Sequence, residues 1–174
     1  AVYQFFWNTA DWVYPPECSG CGKSGYRWCP DCQQQTQILA ADQICVRCGT
    51  PLTMRSLCAH CQAVPPPFSA LRSWAVYKTS VRKAIHAFKY HGDFGITETL
   101  SHPLIEIVRN ENWQLDWITS VPLSPQRMRE RGYNQSNLLA RPIAYAIQRP
   151  FKPHLLERLR DTTSQVKLNR QERI

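Results

Sequence analysis

Cys18-Ser-Gly-Cys21, Cys29-Pro-Asp-Cys32, Cys45-Val-Arg-Cys48 and Cys58-Ala-His-Cys61 are four Cys-x-x-Cys pairs, and they contain all eight cysteines of a 174-residue chain. Two residues between cysteines let both thiolates turn onto one tetrahedral ion from a tight backbone turn. A single pair is a weak signal. Four pairs, separated by seven, twelve and nine residues, predict two four-cysteine sites in one N-terminal module.

Sequential pairing is the expected arrangement, with Cys18, Cys21, Cys29 and Cys32 at one site and Cys45, Cys48, Cys58 and Cys61 at the other. A cross-braced arrangement, pairing the first knuckle with the third, is the alternative. Knuckle spacing, no recognisable export signal and a long cysteine-free remainder favour zinc over disulfides, with an iron–sulfur centre as the remaining option. Four sulfurs complete each tetrahedron, so both ions are expected to be structural, and His60, between Cys58 and Cys61, is expected to be a surface residue.

Charge is unevenly distributed around this module. The formal net charge is +8, yet residues 1–64 hold four Lys/Arg and four Asp/Glu, against seventeen and nine in residues 65–174. Eight thiolates and two divalent ions would take the first part to about minus four. An anionic partner should therefore be sought in the second part. No run approaches the length of a membrane span, so no membrane insertion is expected, and a reducing cytoplasm is the expected compartment.

Residues 1–17 form an aromatic lead-in with Phe5, Phe6, Trp7, Trp12 and Tyr14. The zinc module follows at 18–63, with a possible short helix within 33–44, and Val64 to Pro67 reads as a stiff proline linker. From residue 68 to 174 the pattern is that of an α/β domain. Strands are expected at Leu71 to Tyr77 and Trp117 to Val121. A helix from Thr79 or Ser80 would bury Val81, Ala84, Ile85 and Phe88 and expose Arg82, Lys83, His86 and Lys89. A second helix, Thr97 to Val108, contains Pro103, and a third, capped by Asn134 or Ser136, must accommodate Pro142. Before that third helix lies a loop with Arg127, Arg129 and Arg131, whose fork geometry suits phosphate or carboxylate oxygens. A solvated basic loop is the plainer reading of the same residues.

The four knuckles, the Pro-rich junction, Ala84-Ile-His-Ala-Phe-Lys-Tyr90, Val121-Pro-Leu123, Arg131-Gly-Tyr-Asn-Gln-Ser136 and the segment from Thr162 to Arg173 closely resemble the ComF/GntX family of bacterial proteins. The resemblance implies a double zinc-ribbon-like module followed by a partial type I phosphoribosyltransferase-like domain with a mainly parallel sheet. It also implies a pocket for phosphoribosyl diphosphate, with magnesium as its companion ion, and a role in DNA uptake or DNA use. Lys89 and Tyr90 would lie near the ligand or the sheet edge. Arg127, Arg131, Tyr133, Asn134 and Gln135 would form the characteristic loop, and Arg158, Thr163 and Gln165 would belong to the active-site loop. The family pattern continues into an acidic pair and a Gly-rich turn that cradles phosphate. Neither occurs before Ile174, so the chain is expected to be truncated ahead of that motif and not competent for transfer as it stands. Single-stranded DNA binding, and docking of a competence helicase or recombination mediator on the zinc module, are the non-catalytic alternatives.

Overall fold

The structure is a computed structural model and describes residues 15–159 and Asn169. The aromatic lead-in to Tyr14, together with Thr163 and Gln165, lies outside the described residues. Two compact units are present, residues 1–114 and residues 115–174. The Val64 to Pro67 junction falls inside the first.

In the first unit, short helices α1 (Pro30–Gln34) and α2 (Ala59–Ala63) each start from a knuckle cysteine that acts as N-cap, Cys29 and Cys58. Each of these sulfurs accepts the N–H three residues on, from Cys32 and Cys61, both at 3.5 Å. The one-turn helices thus arise from knuckle geometry and not from propensity. Residues 35–44 are not helical: after α1 the chain is drawn into contacts with residues 74–76.

Two longer helices complete the unit. Helix α3 (Thr79–Tyr90) buries Ser80, Val81, Ala84 and Phe88, the three- and four-residue spacing of one inward face. A 3₁₀ turn at Phe94–Ile96 leads into α4 (Thr97–Asn110), which runs through Pro103. Phe88, Ile96 and Leu100 are the large apolar residues buried along this stretch, and Phe88 and Ile96 are almost completely excluded from water. Burying a side chain of this size contributes roughly 1.5–3 kcal/mol.

Each cysteine set is tied to non-helical chain that follows it. On one side Ser19 Oγ donates to Asp93 Oδ2. On the other, Arg47 Nε donates to the Phe68 carbonyl at 3.0 Å, and Leu71 N donates to the Arg47 carbonyl at 2.7 Å. Arg55 and Arg72 both reach Glu111, just beyond α4.

The second unit contains α5 (Pro125–Arg131) and α6 (Gln135–Ala146). Ser124 caps α5 with Pro125 in its first turn, and α5 closes at Gly132. Asn134 caps α6, whose inward residues are Ala140 and Ala144.

The expected α/β architecture with a mainly parallel sheet does not form among the described residues. No strand is present, and extended segments meet only in isolated bridges such as Ile38 with Ala75 and Ile118 with Phe151. The strand expected at Leu71 to Tyr77 uses its backbone elsewhere: Leu71 N bonds the Arg47 carbonyl, Trp74 O accepts Leu39 N at 3.0 Å, and Val76 N bonds the Gln37 carbonyl at 2.9 Å. Its backbone bonds singly to the second knuckle set and to the segment between the two sets. The strand expected at Trp117 to Val121 makes one parallel rung, Ile118 N to Pro150 O at 2.9 Å and Lys152 N to Ile118 O at 2.8 Å. The acceptor for the next rung, Lys152 O, is taken by the Thr119 hydroxyl at 2.7 Å. Among the described residues no helix is long and apolar enough to cross a membrane.

Candidate metal centres

The structure groups the cysteines sequentially. Cys18, Cys21, Cys29 and Cys32 bring their sulfurs within 4.8 Å of one another, and Cys45, Cys48, Cys58 and Cys61 do the same. The two groups are near-duplicates in local geometry. Cys29 N donates to Cys18 Sγ at 3.3 Å, and Cys58 N donates to Cys45 Sγ at 3.4 Å. The first cysteine of each set also closes a tight loop, Cys18 N to Lys23 O at 2.9 Å and Cys45 N to Thr50 O at 2.8 Å. At the turn after the second cysteine Gly49 has φ +70, and a Cβ there would sit 2.7 Å from the Leu71 carbonyl oxygen, so the position is closed to side chains on both counts.

Thiol electrostatics point to a cation. Burial works against ionisation of Cys18, but N–H donors from Cys29, Gly20 and Cys21 bring it down to about 7. At the second centre, donors from Cys48 and Cys58 bring Cys45 down to about 6. The last cysteine of each set moves the other way. Burial and the neighbouring thiols push Cys32 up, and the same causes push Cys61 up to about 12. Four sulfurs this close cannot all ionise unless positive charge is placed among them. A four-sulfur donor set suits zinc, and it leaves no open position for water or substrate, so both sites fit structural ions. His60 is exposed and stands outside the second group.

The anion-binding candidates are dispersed. Lys89 and Tyr90 end α3 in the first unit. Arg127 and Arg131 lie on α5, and Gly132 and Tyr133 join it to Asn134 and Gln135 at the start of α6. Arg131 Nη1 donates to Gln135 Oε1 at 3.0 Å. Asn134 is buried and structural in its contacts: its carbonyl oxygen accepts Ser136 N at 2.9 Å, and its amide donates to Val121 O at 3.0 Å. Ser120 Oγ donates to Asn137 Oδ1, a second tie from the 117–121 segment to α6. Arg158 is half-buried in the second unit.

Two features escape a reading by pattern. Helix α5 occupies what reads as a basic loop, although Ser124-Pro125 and Gly132 are start and stop signals for it. The cluster of Arg55, Arg72 and Glu111 has no local signal at all, because its members are 39 and 56 residues apart.

Residues 9–62 match the family model of the double zinc ribbon domain. The chain is 34% identical over 128 residues to the DNA utilization protein YhgH of Salmonella typhimurium, covering 70% of this chain and 56% of that protein. It is 28% identical over 151 residues to competence protein F of Haemophilus influenzae, covering 83% and 65%. It is 28% identical over 122 residues to competence protein ComFC of Bacillus subtilis, covering 64% and 49%. The chain thus spans about half to two thirds of the length of these relatives. No solved structure matches it.

Proposed function

We propose that the chain is the zinc-ribbon-bearing part of a ComF-family protein of DNA uptake or DNA use, on its double zinc ribbon match and its likeness to YhgH and the competence proteins. In this reading the zinc ions hold the first unit together, and the segment from Arg127 to Gln135 binds a phosphoribosyl diphosphate. The supporting observation is the α5–α6 junction. There the Arg131 guanidinium is steadied by Gln135 at the N-terminus of a twelve-residue helix, and that terminus is tied by Asn134 to Val121. A fixed guanidinium fork beside the positive end of a helix suits phosphate oxygens. Magnesium would supply the charge that bridges diphosphate oxygens. Arg127 and Arg131 would hold the anion, and Asn134 would keep the helix end in place.

Calorimetric titration of phosphoribosyl diphosphate into the chain, with and without magnesium, tests this. Saturable binding is expected, weakened about ten- to a hundredfold by Arg131→Ala, the loss typical of a charge-assisted hydrogen bond. No heat of binding with magnesium present would overturn it.

A second reading, single-stranded DNA binding, is favoured by the outward face of α3. Arg82, Lys83 and Lys89 there accompany His86, whose ring lies 4.7 Å from Tyr90 and 5.4 Å from His91. Backbone-dominated binding must weaken steeply as salt rises, whereas base stacking alone does not. Fluorescence titration of an oligothymidylate at several salt concentrations separates the two ligands. Affinity for the oligonucleotide that falls with salt, together with no affinity for the diphosphate, selects this second reading.

A further inference from the structure

The two metal centres share their knuckle geometry but not their surroundings. At the second, the residue two beyond the first cysteine is Arg47, whose side chain is engaged by the Phe68 carbonyl. At the first, the matching residue is Gly20, buried. A Cβ built on Gly20 would lie 2.7 Å from Cys32 Sγ, 3.0 Å from Ser80 Cβ and 3.0 Å from the Trp28 ring. Ser80 and the ligand sulfur of Cys32 therefore flank one point, and the missing side chain is what lets α3 approach the centre.

Ser80 is the second residue of α3. It is 4% exposed, and its Oγ is a buried side-chain oxygen with no hydrogen-bond partner. The helix also starts without a side-chain cap, because Lys78 at the N-cap makes no such bond. A helix N-terminus carries partial positive charge on its first N–H groups, and those groups need acceptors. A buried hydroxyl needs one as well. Four thiolates on a divalent ion carry a net charge of about minus two, and each sulfur keeps lone pairs that accept hydrogen bonds.

The geometry points to Ser80 and the N-terminus of α3 as the outer shell of the first metal centre. With the ion bound, the Ser80 hydroxyl rotates to donate to Cys32 Sγ, and the positive end of α3 faces the thiolate cluster. Loading of the first centre is thereby coupled to α3, whose outer face carries Arg82, Lys83, His86 and Lys89. At the second centre the nearby hydroxyl is that of Thr50, 3.1 Å from Cys48 Sγ in an exposed turn, so the link between metal loading and α3 belongs to the first centre. None of this depends on what the second unit binds.

The test uses the whole chain loaded with two equivalents of metal. In a challenge with a chromophoric chelator, Ser80→Ala should release one zinc ion about tenfold faster and the other at the wild-type rate, the lower end of what loss of an outer partner costs. In the chain loaded with ¹¹³Cd, the same substitution should shift one of two cadmium resonances and leave the other in place. A readout that needs no variant is a slowly exchanging hydroxyl proton of Ser80 that correlates with one cadmium nucleus. Unchanged release of both ions, or equal acceleration of both, would overturn the proposal. Should Ser80→Ala fail to fold, the hydroxyl-to-cadmium correlation decides, and its absence counts against the proposal.

Discussion

Glu111 keeps its charge with only 8% of its side chain exposed because two guanidinium groups meet it. Arg72 donates from Nε and Nη2 to the two carboxylate oxygens, at 2.6 and 2.7 Å, and Arg55 donates to both from the other side. The Arg72 bonds, helped by Arg55 and opposed by burial, bring the carboxyl from 4.5 to about 2. The depressed value means that the folded state favours the ionised form. Its contribution to stability is complete above pH 4.5, the unperturbed value, and is lost as pH falls toward 2. The shift corresponds to about 3 kcal/mol. Glu111→Gln should therefore cost about 3 kcal/mol at pH 7, because it strands Arg72, only 6% exposed, without its counter-charge. In urea titrations the gap between variant and wild type should close as pH drops from 4.5 toward 2. Both titrations are run at pH values where the proteins still hold their metal, because loss of the ions unfolds the unit that contains Glu111. Arg55 is 39% exposed, and its removal should cost under about 1 kcal/mol.

At the scale of elements, the helix start at Asn134 does two things with one side chain, capping α6 through Oδ1 and holding the Val121 carbonyl through its amide. Asn134→Ala should destabilise the second unit by about 2 kcal/mol, since it removes a cap and leaves a carbonyl without its partner. Asn134→Ser should recover the cap alone, and with it roughly half of that loss. Urea unfolding followed at Trp117, in the same unit, reads both changes. This cap was legible as one of two candidates, Asn134 or Ser136, and the sequential cysteine sets as the preferred of two pairings, while the inward face of α3 followed from its three- and four-residue spacing. The sheet was misread because Trp74, Val76 and Tyr77 have strand composition whether they join a ladder or make single backbone bonds to residues 37–39. Composition carries no information about where Leu71 N and Trp74 O find their partners. Helix α5 was missed because its arginines draw attention to charge, while the residues that make it a helix are Ser124, Pro125 and Gly132. The hydroxyl of Ser80 is unremarkable as a letter. It becomes informative only when Gly20 and Cys32 are seen beside it.

Across the whole molecule, the two units differ in what sustains them. Among the described residues, the buried apolar side chains of the first unit are Ile44, Val81, Ala84, Phe88, Ile96 and Leu100, and alongside them five buried cysteines, Cys18, Cys29, Cys32, Cys45 and Cys61. Nearly half of that core consists of metal ligands, so metal binding supplies a large part of the folding free energy, on the order of 10–16 kcal/mol for a structural zinc ion. The second unit holds no cysteine, and its α6 is anchored by Asn134, Ala140 and Ala144. The chain should therefore carry two zinc ions by atomic emission, falling to one in Cys18→Ser and to one in Cys45→Ser. Stripping both with a chelator should abolish amide protection across α3 and α4 while α6 keeps its own. Loss of protection in α6 at the same chelator concentration would show that the metal stabilises both units together. Retention of protection in α3 after complete zinc removal would show that burial of Phe88, Ile96 and Leu100 suffices without the ions. The selective outcome is expected because α3 lies against the first centre through Gly20 and Ser80, whereas residues 47, 71 and 72 tie the second centre to the end of α4 through Glu111.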